Sequence, residues 1–338
     1  MQTNNISISL KWLFILAIAS FFLSLFLPYI GEEAVYTISS YEMWYHHHYR
    51  YPTTYGLAYW RPPLYNWLII CLANLLGWEH MLIASRLVTA LATIATSFLV
   101  IWLGNCLFKA SGFGLFAALV YLSSDALLYH GWLAYSDPLF AFFVVGAISF
   151  LWVANLEQRY IFVWFSVIFL IAAFMTKALT AYVFYIISFI FIIYYDGKNK
   201  TFLLRPINFL PYLFSIFFYF FWNIVSKKIT EIGMWTDIFN KFYGIYRLGY
   251  LQQILIVPIE VFFRFLPASG LIVYYLIKQE FEKVKFNISA RQTLWGLTLV
   301  NFIPYWFVHI TVLDIYFHCI LLLHYYWRLG YGICLKDA

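Results

Sequence analysis

Runs of roughly 20 apolar residues recur along this chain, each just long enough as a helix to cross the hydrocarbon layer of a bilayer. They lie at about 9–30, 82–105, 113–131, 138–156, 160–176, 178–195, 207–225, 251–277, 292–310 and 313–332. No globular core could take up so much apolar surface. Hydrophobic residues are 64% of the 338 and charged residues 11%, against roughly 25% charged in a soluble domain. Aromatics reach 23%, and Tyr and Trp favour the bilayer–water boundary. The first run is long for a signal-peptide core and has no small-residue cleavage site, so it reads as a retained span. The expectation is an all-α, polytopic transmembrane helical bundle of about ten spans, forming a single membrane domain over 1–338.

The formal charge of +6 does not point to nucleic acid, because the basic residues are scattered among loops and never gathered into an arm. The four cysteines, Cys71, Cys106, Cys319 and Cys334, lie far apart in apolar sequence, without disulfide or zinc spacing. No glycine-rich loop suited to cradling a nucleotide occurs.

One apolar stretch is ambiguous. Residues 62–77 (PPLYNWLIICLANLLG) cover only about 24 Å at 1.5 Å per residue, short of the roughly 30 Å hydrocarbon layer. Orientation separates the two readings. With 62–77 lying on the surface and the N-terminus inside, twelve of the 21 Lys and Arg fall on inner loops, eight fall outside, and Arg264 falls within a span. The positive-inside rule favours that arrangement. The outer loop 226–250 holds four of those eight outside residues, an excess the arrangement does not explain. Residues 31–77 then form one outer loop with interfacial helices, and Pro62 and Pro63 fit the start of such a helix.

Charges beside hydrocarbon are costly and need a reason. Glu32 and Glu33 follow the first span at once in IGEEAVY; Asp137 precedes a span in YSDPLF; Lys177 joins two apolar runs in FMTKAL. In this topology all four emerge on the same side as Arg61. Fixed cations with carboxylates at one water–lipid boundary suit a reaction on an anionic lipid head group. The cations hold phosphate and a carboxylate takes the proton of an acceptor hydroxyl. Each residue also has a plain structural reading. The Glu pair is then a solvated loop start, Asp-Pro a capped helix start, Lys177 a snorkelling side chain and Arg61 a lipid anchor. Only the combination favours chemistry.

These pieces in this order resemble the membrane-embedded glycosyltransferases of GT-C type that use polyprenyl-phosphate sugars. That family includes the lipid A aminoarabinose transferase and the dolichyl-phosphate-mannose protein mannosyltransferases. The similarity covers about 9–180 well, and 200–275 loosely through an Arg-Phe-Leu-Pro stretch at 264–267. The resemblance implies glycosyl transfer from a polyprenyl-phosphate donor to a lipid or protein acceptor at the periplasmic face of a bacterial inner membrane. It implies Glu32 and Asp137 as catalytic carboxylates and Arg61 and Lys177 as donor-phosphate ligands, with Glu33 and Arg264 as additional candidates; a divalent metal stays open. The chain departs from the family pattern at Glu32, where Asp is usual, at Trp60, where the lipid A branch has Glu, and at Val35, where Arg is frequent. It also ends soon after the tenth run.

Two further features read as structural. Consecutive His46, His47 and His48 diverge on a helix and make a poor three-ligand metal set. Glu260 and Arg264, four apart within a span, suit an internal ion pair. A transporter or lipid flippase is the competing class, and it expects charges at the midplane and broken, repeated helices. A non-catalytic relative of the same fold is a third.

Overall fold

The computed structural model describes residues 2–59, 61–108, 112–195, 200–226 and 288–307, with isolated positions between Ile229 and Val273. The expected spans at 251–277 and 313–332, and the pair Glu260 and Arg264, lie largely or wholly outside these residues. Among the described residues, five helical segments are long and apolar enough to cross a membrane: Ile8–Phe26, Trp78–Phe108, Asp137–Glu157, Tyr160–Lys177 and Pro206–Val225.

Helix α1 (Gln2–Leu23) ends in a 3-10 turn at Ser24–Phe26 and leaves the membrane in extended form. The expected helix to residue 30 stops early because Pro28 cannot continue it. Gly31 then turns the chain at φ 61°, and α2 (Glu33–Tyr45) begins. A two-residue hairpin, β1 (Thr53–Thr54) against β2 (Leu57–Ala58), follows, turned by Tyr55 and Gly56 at positive φ. Helix α3 (Leu64–Leu76) occupies the ambiguous stretch with 13 residues, about 20 Å of rise. It buries Tyr65, Ile69 and Ala73 along one face against α2 and α4 (Met81–Phe108).

The expected span at 113–131 is broken into α5 (Phe113–Leu122) and α6 (Asp125–His130). Ser123 and Ser124 sit at the break, and their hydroxyls bond back to the carbonyls of Val120 and Tyr121 at 3.0 and 2.9 Å. Such local bonds offer the backbone an alternative to helix.

Among the described residues, helices α7 (Asp137–Glu157) and α8 (Tyr160–Lys177) form the most extensively packed pair. Gly146 makes the approach possible: a Cβ there would lie 2.2 Å from the Phe169 ring. Small residues at such crossings are how helices in lipid gain packing. After α8, Ala178 reverses the chain at φ 55°, ψ −141° into α9 (Thr180–Tyr195). The short α10 (Lys200–Leu203), α11 (Pro206–Val225) and α12 (Ile288–Phe307) complete the described bundle. Asn301 of α12 donates to Ser188 of α9 at 2.9 Å.

Residues 131–136, between α6 and α7, are irregular backbone, and in a membrane protein every such group needs a partner. Helix α4 supplies them from a buried polar row spaced by four. Thr93 donates to the Gly131 carbonyl at 2.7 Å and Thr89 to the Tyr135 carbonyl at 3.2 Å. The loop that introduces Asp137 is thereby pinned to a long helix.

Candidate active site

Helices α7 and α8 run antiparallel, so the first residue of one meets the last of the other. Lys177 Nζ lies 2.5 Å from Asp137 Oδ1, with side chains 12% and 11% exposed. Asp137 is the first residue of α7, Ser136 takes the cap position, and neither side chain caps the helix. Asp-Pro here is therefore more than a helix start, since the carboxylate turns to the lysine. Lys177 also lies over the Phe140 ring at 5.5 Å. The residue after it, Ala178, has a backbone conformation that favours glycine, and strain of that kind collects at functional sites.

Arg61 reaches the same place from the loop after the hairpin. Its Nη1 donates to the Tyr36 hydroxyl and lies 3.5 Å from Ser136 Oγ, beside Asp137. Tyr59 sits with its ring centre 5.6 Å from the guanidinium. Burial pushes the Tyr59 phenol up, against the pull of Arg61 and Lys177; Tyr36 and Glu32 add to the rise. That one phenol feels both cations and Glu32 marks them as neighbours.

Glu32 and Glu33, adjacent in sequence, go separate ways. Glu32 is exposed, and its carboxylate accepts no hydrogen bond among the described residues. Its backbone N–H donates to the Tyr135 hydroxyl at 3.1 Å. Gly31 is required for that contact, because a Cβ there would lie 2.7 Å from the same hydroxyl. Burial pushes the Tyr135 phenol up too, with the Glu32 amide bond opposing it. Glu33 is wholly buried. Each of its oxygens accepts twice: Oε1 from Arg86 Nε and the Ala134 amide, both at 2.8 Å, and Oε2 from Arg86 Nη2 at 2.6 Å and the Ile30 amide at 2.9 Å. Arg86 also donates to the carbonyls of Ser24, Leu25, Leu27 and Pro28, and its guanidinium lies 5.0 Å from the Trp132 ring centre. The Glu33 carboxylate has no lone pair left for a ligand.

No protein-family model matches the chain, and no curated protein matches it by sequence. Solved structures do match. The crystal structure of ArnT from Cupriavidus metallidurans bound to undecaprenyl phosphate superposes with a TM-score of 0.75 at 13% identity, and the apo structure with 0.68 at 14%. Each match covers 97% of this chain and 62% of the ArnT chain. The fold is of the GT-C type. With five helices among the described residues long and apolar enough to cross a membrane, the chain is an integral membrane protein.

Within the GT-C frame, the sequence-derived candidates Asp137, Lys177 and Arg61 converge, with Glu32 at the margin and Glu33 behind it. Arg264 lies outside the described residues. The three histidines follow α2, and among the described residues no three His, Cys, Asp or Glu side chains cluster as metal ligands. Three residues escaped sequence reasoning. Tyr36 stood four after Glu32 and so on its helix face, a usable signal; Ser136 and Arg86 carried none beyond standing next to Asp137 and near a span start.

Proposed function

We propose that the chain is a glycosyltransferase that moves a sugar from a polyprenyl phosphate to a lipid or protein acceptor at the outer face of a bacterial cytoplasmic membrane. The observation that carries this is the meeting of Asp137, Lys177 and Arg61 at one end of a GT-C bundle. A solved structure of that fold holds undecaprenyl phosphate.

The chemistry follows from the groups present. Lys177 and Arg61 are fixed cations at the boundary, and Arg is a planar, permanently charged phosphate partner. An arriving phosphate competes with Asp137 for Lys177 and frees that carboxylate to act as base. The acceptor hydroxyl oxygen attacks the anomeric carbon while the bond to the phosphate oxygen breaks. The phosphate leaves with the electron pair, now balanced by the two cations. The acceptor proton passes to Asp137 or Glu32, and the anomeric configuration inverts. On this reading 31–77 is an outer loop and α3 lies along the membrane surface, which brings Glu32 and Arg61 to the side of Asp137.

Wild-type protein in proteoliposomes, given radiolabelled undecaprenyl-phosphate sugar with lipid A or a peptide acceptor, is expected to transfer label, and Asp137→Asn is not. Equal label release from both proteins sinks the enzymatic reading. Single cysteines placed beside Asp137 and in the 196–205 loop test the orientation. The first should react with an impermeant maleimide from outside and the second should not; the reverse overturns it.

A further inference from the structure

Ser136 occupies the position before α7 where a serine ordinarily caps the helix, yet its hydroxyl makes no capping bond. It lies instead 3.1 Å from the Tyr36 hydroxyl and 3.5 Å from Arg61 Nη1, and it is 1% exposed. Tyr36 is one turn beyond Glu32 on α2. Its ring is set edge-on to Tyr65 and Tyr135, with centroids 5.2 and 6.4 Å away. A guanidinium only donates, so the Tyr36 oxygen must accept from Arg61. The Tyr36 and Ser136 hydroxyls share a further hydrogen bond in which either can donate. Arg61 Nη1 thus faces both hydroxyls, and the two hydroxyls are bonded to each other.

We infer that the two hydroxyls of Tyr36 and Ser136 form a seat that holds the Arg61 guanidinium in one plane beside Asp137 and Lys177. Tyr36 and Ser136 are positioning residues, acting on a bound phosphate only through Arg61. That consequence for ligand rests on the proposed donor reading; the seat itself does not. A flexible arginine on a loop meets many orientations, whereas one tied at Nη1 presents its fork in a fixed direction. The seat also explains why arginine serves at this position. A lysine is a point charge that would have to divide one ammonium between the hydroxyls and an anion, while a guanidinium offers five N–H donors around a plane. The seat spans three elements, since Tyr36 is on α2, Arg61 on the hairpin's exit and Ser136 at the head of α7. Orientation of the cation is thus tied to the relative placement of the two acidic motifs.

The test uses the full chain in lipid nanodiscs. Tyr36→Phe removes one oxygen and keeps the ring packing. Phenylglyoxal modification of Arg61, followed by peptide mass spectrometry, needs no substrate and is expected to quicken several-fold in this variant. An unchanged rate overturns the seat. If Tyr36→Phe does not fold, Ser136→Ala decides, with a smaller quickening expected and an unchanged or slower rate overturning the idea. With an active wild type, Tyr36→Phe should raise KM for the polyprenyl-phosphate sugar about tenfold, as expected for a lost hydrogen bond to a charged group, and leave kcat nearly unchanged. A fall in kcat with unchanged KM is the contrary result. Adding Tyr36→Phe to Arg61→Lys should produce no further rise in KM; full additivity counts against the seat. If the wild type neither binds undecaprenyl phosphate nor transfers sugar, the donor reading fails, and the modification rates still judge the seat.

Discussion

Glu33–Arg86 and Asp137–Lys177 are both carboxylate–cation pairs at the same end of the bundle, with contacts of 2.6 and 2.5 Å. They differ in how many other groups hold them. Both Glu33 oxygens are doubly engaged, and Arg86 is stitched to four carbonyls and a Trp ring, with no exposure on either partner. Asp137 accepts only from Lys177 among the described residues, and both side chains keep an opening. A saturated pair has nothing to give a ligand and serves as framework. An unsaturated pair can exchange one partner for another, which is what a reaction centre needs.

Breaking the framework pair should have the largest effect. Arg86→Ala leaves Glu33 buried and uncompensated, expected to cost about 3–5 kcal/mol. Size-exclusion profiles and thermal unfolding in detergent should show little folded protein. Asp137→Asn keeps shape and removes a charge, so folding should survive while transfer falls at least about a hundredfold, the lower range for loss of a general base. An Asp137→Asn protein that fails to fold would erase the distinction between the pairs. Replacing both framework partners, as in Glu33→Leu with Arg86→Met, removes the charge imbalance but not the need of the Leu25, Leu27 and Pro28 carbonyls for donors. Recovery relative to Arg86→Ala should therefore be partial, about 1–2 kcal/mol, measured by the same unfolding assay.

The smallest effect concerns a third carboxylate, which holds the hairpin. Glu42 accepts from the Tyr55 and Gly56 amides at 2.6 and 3.2 Å. Burial alone would raise its pKa, but the bond from Thr53, these amide bonds and His46 outweigh it and hold the carboxyl below the usual range. The folded value lies under the unfolded one, so the clip is fully present above about pH 4 and weakens as pH falls through the lowered value. Hydrogen exchange at Tyr55 and Gly56, corrected for intrinsic rates, should show protection at neutral pH that fades under acid. Glu42→Gln should lower protection at neutral pH and remove this pH dependence.

Much of the site was legible because membranes make charges conspicuous. Asp137, Lys177 and Arg61 each stood beside apolar runs, and short loops left them few places to go. What the pattern could not supply was direction. Glu32 and Glu33 are neighbours at a helix start, where one residue's rotation, about 100°, sends one side chain to water and the other inward. Arg86 stands near the start of an apolar run, and nothing in its sequence neighbours announces the carbonyls it finds. The break at Ser123 and Ser124 was hidden by the hydrophobicity around it: an apolar count senses how greasy a segment is, not where its backbone bonds.

The four carbonyls that close on Arg86 belong to residues 24–28, while the arginine itself comes about sixty residues later. The Ser24 carbonyl also accepts from the Leu27 amide at 3.3 Å, but during synthesis the Leu25, Leu27 and Pro28 carbonyls lack their Arg86 donors until α4 has been made and delivered to the bilayer. Until then those carbonyls must stay in contact with water. The first helix is threaded early but fastened late, and the acidic motif behind it takes its shape only when the second long helix arrives to lock it.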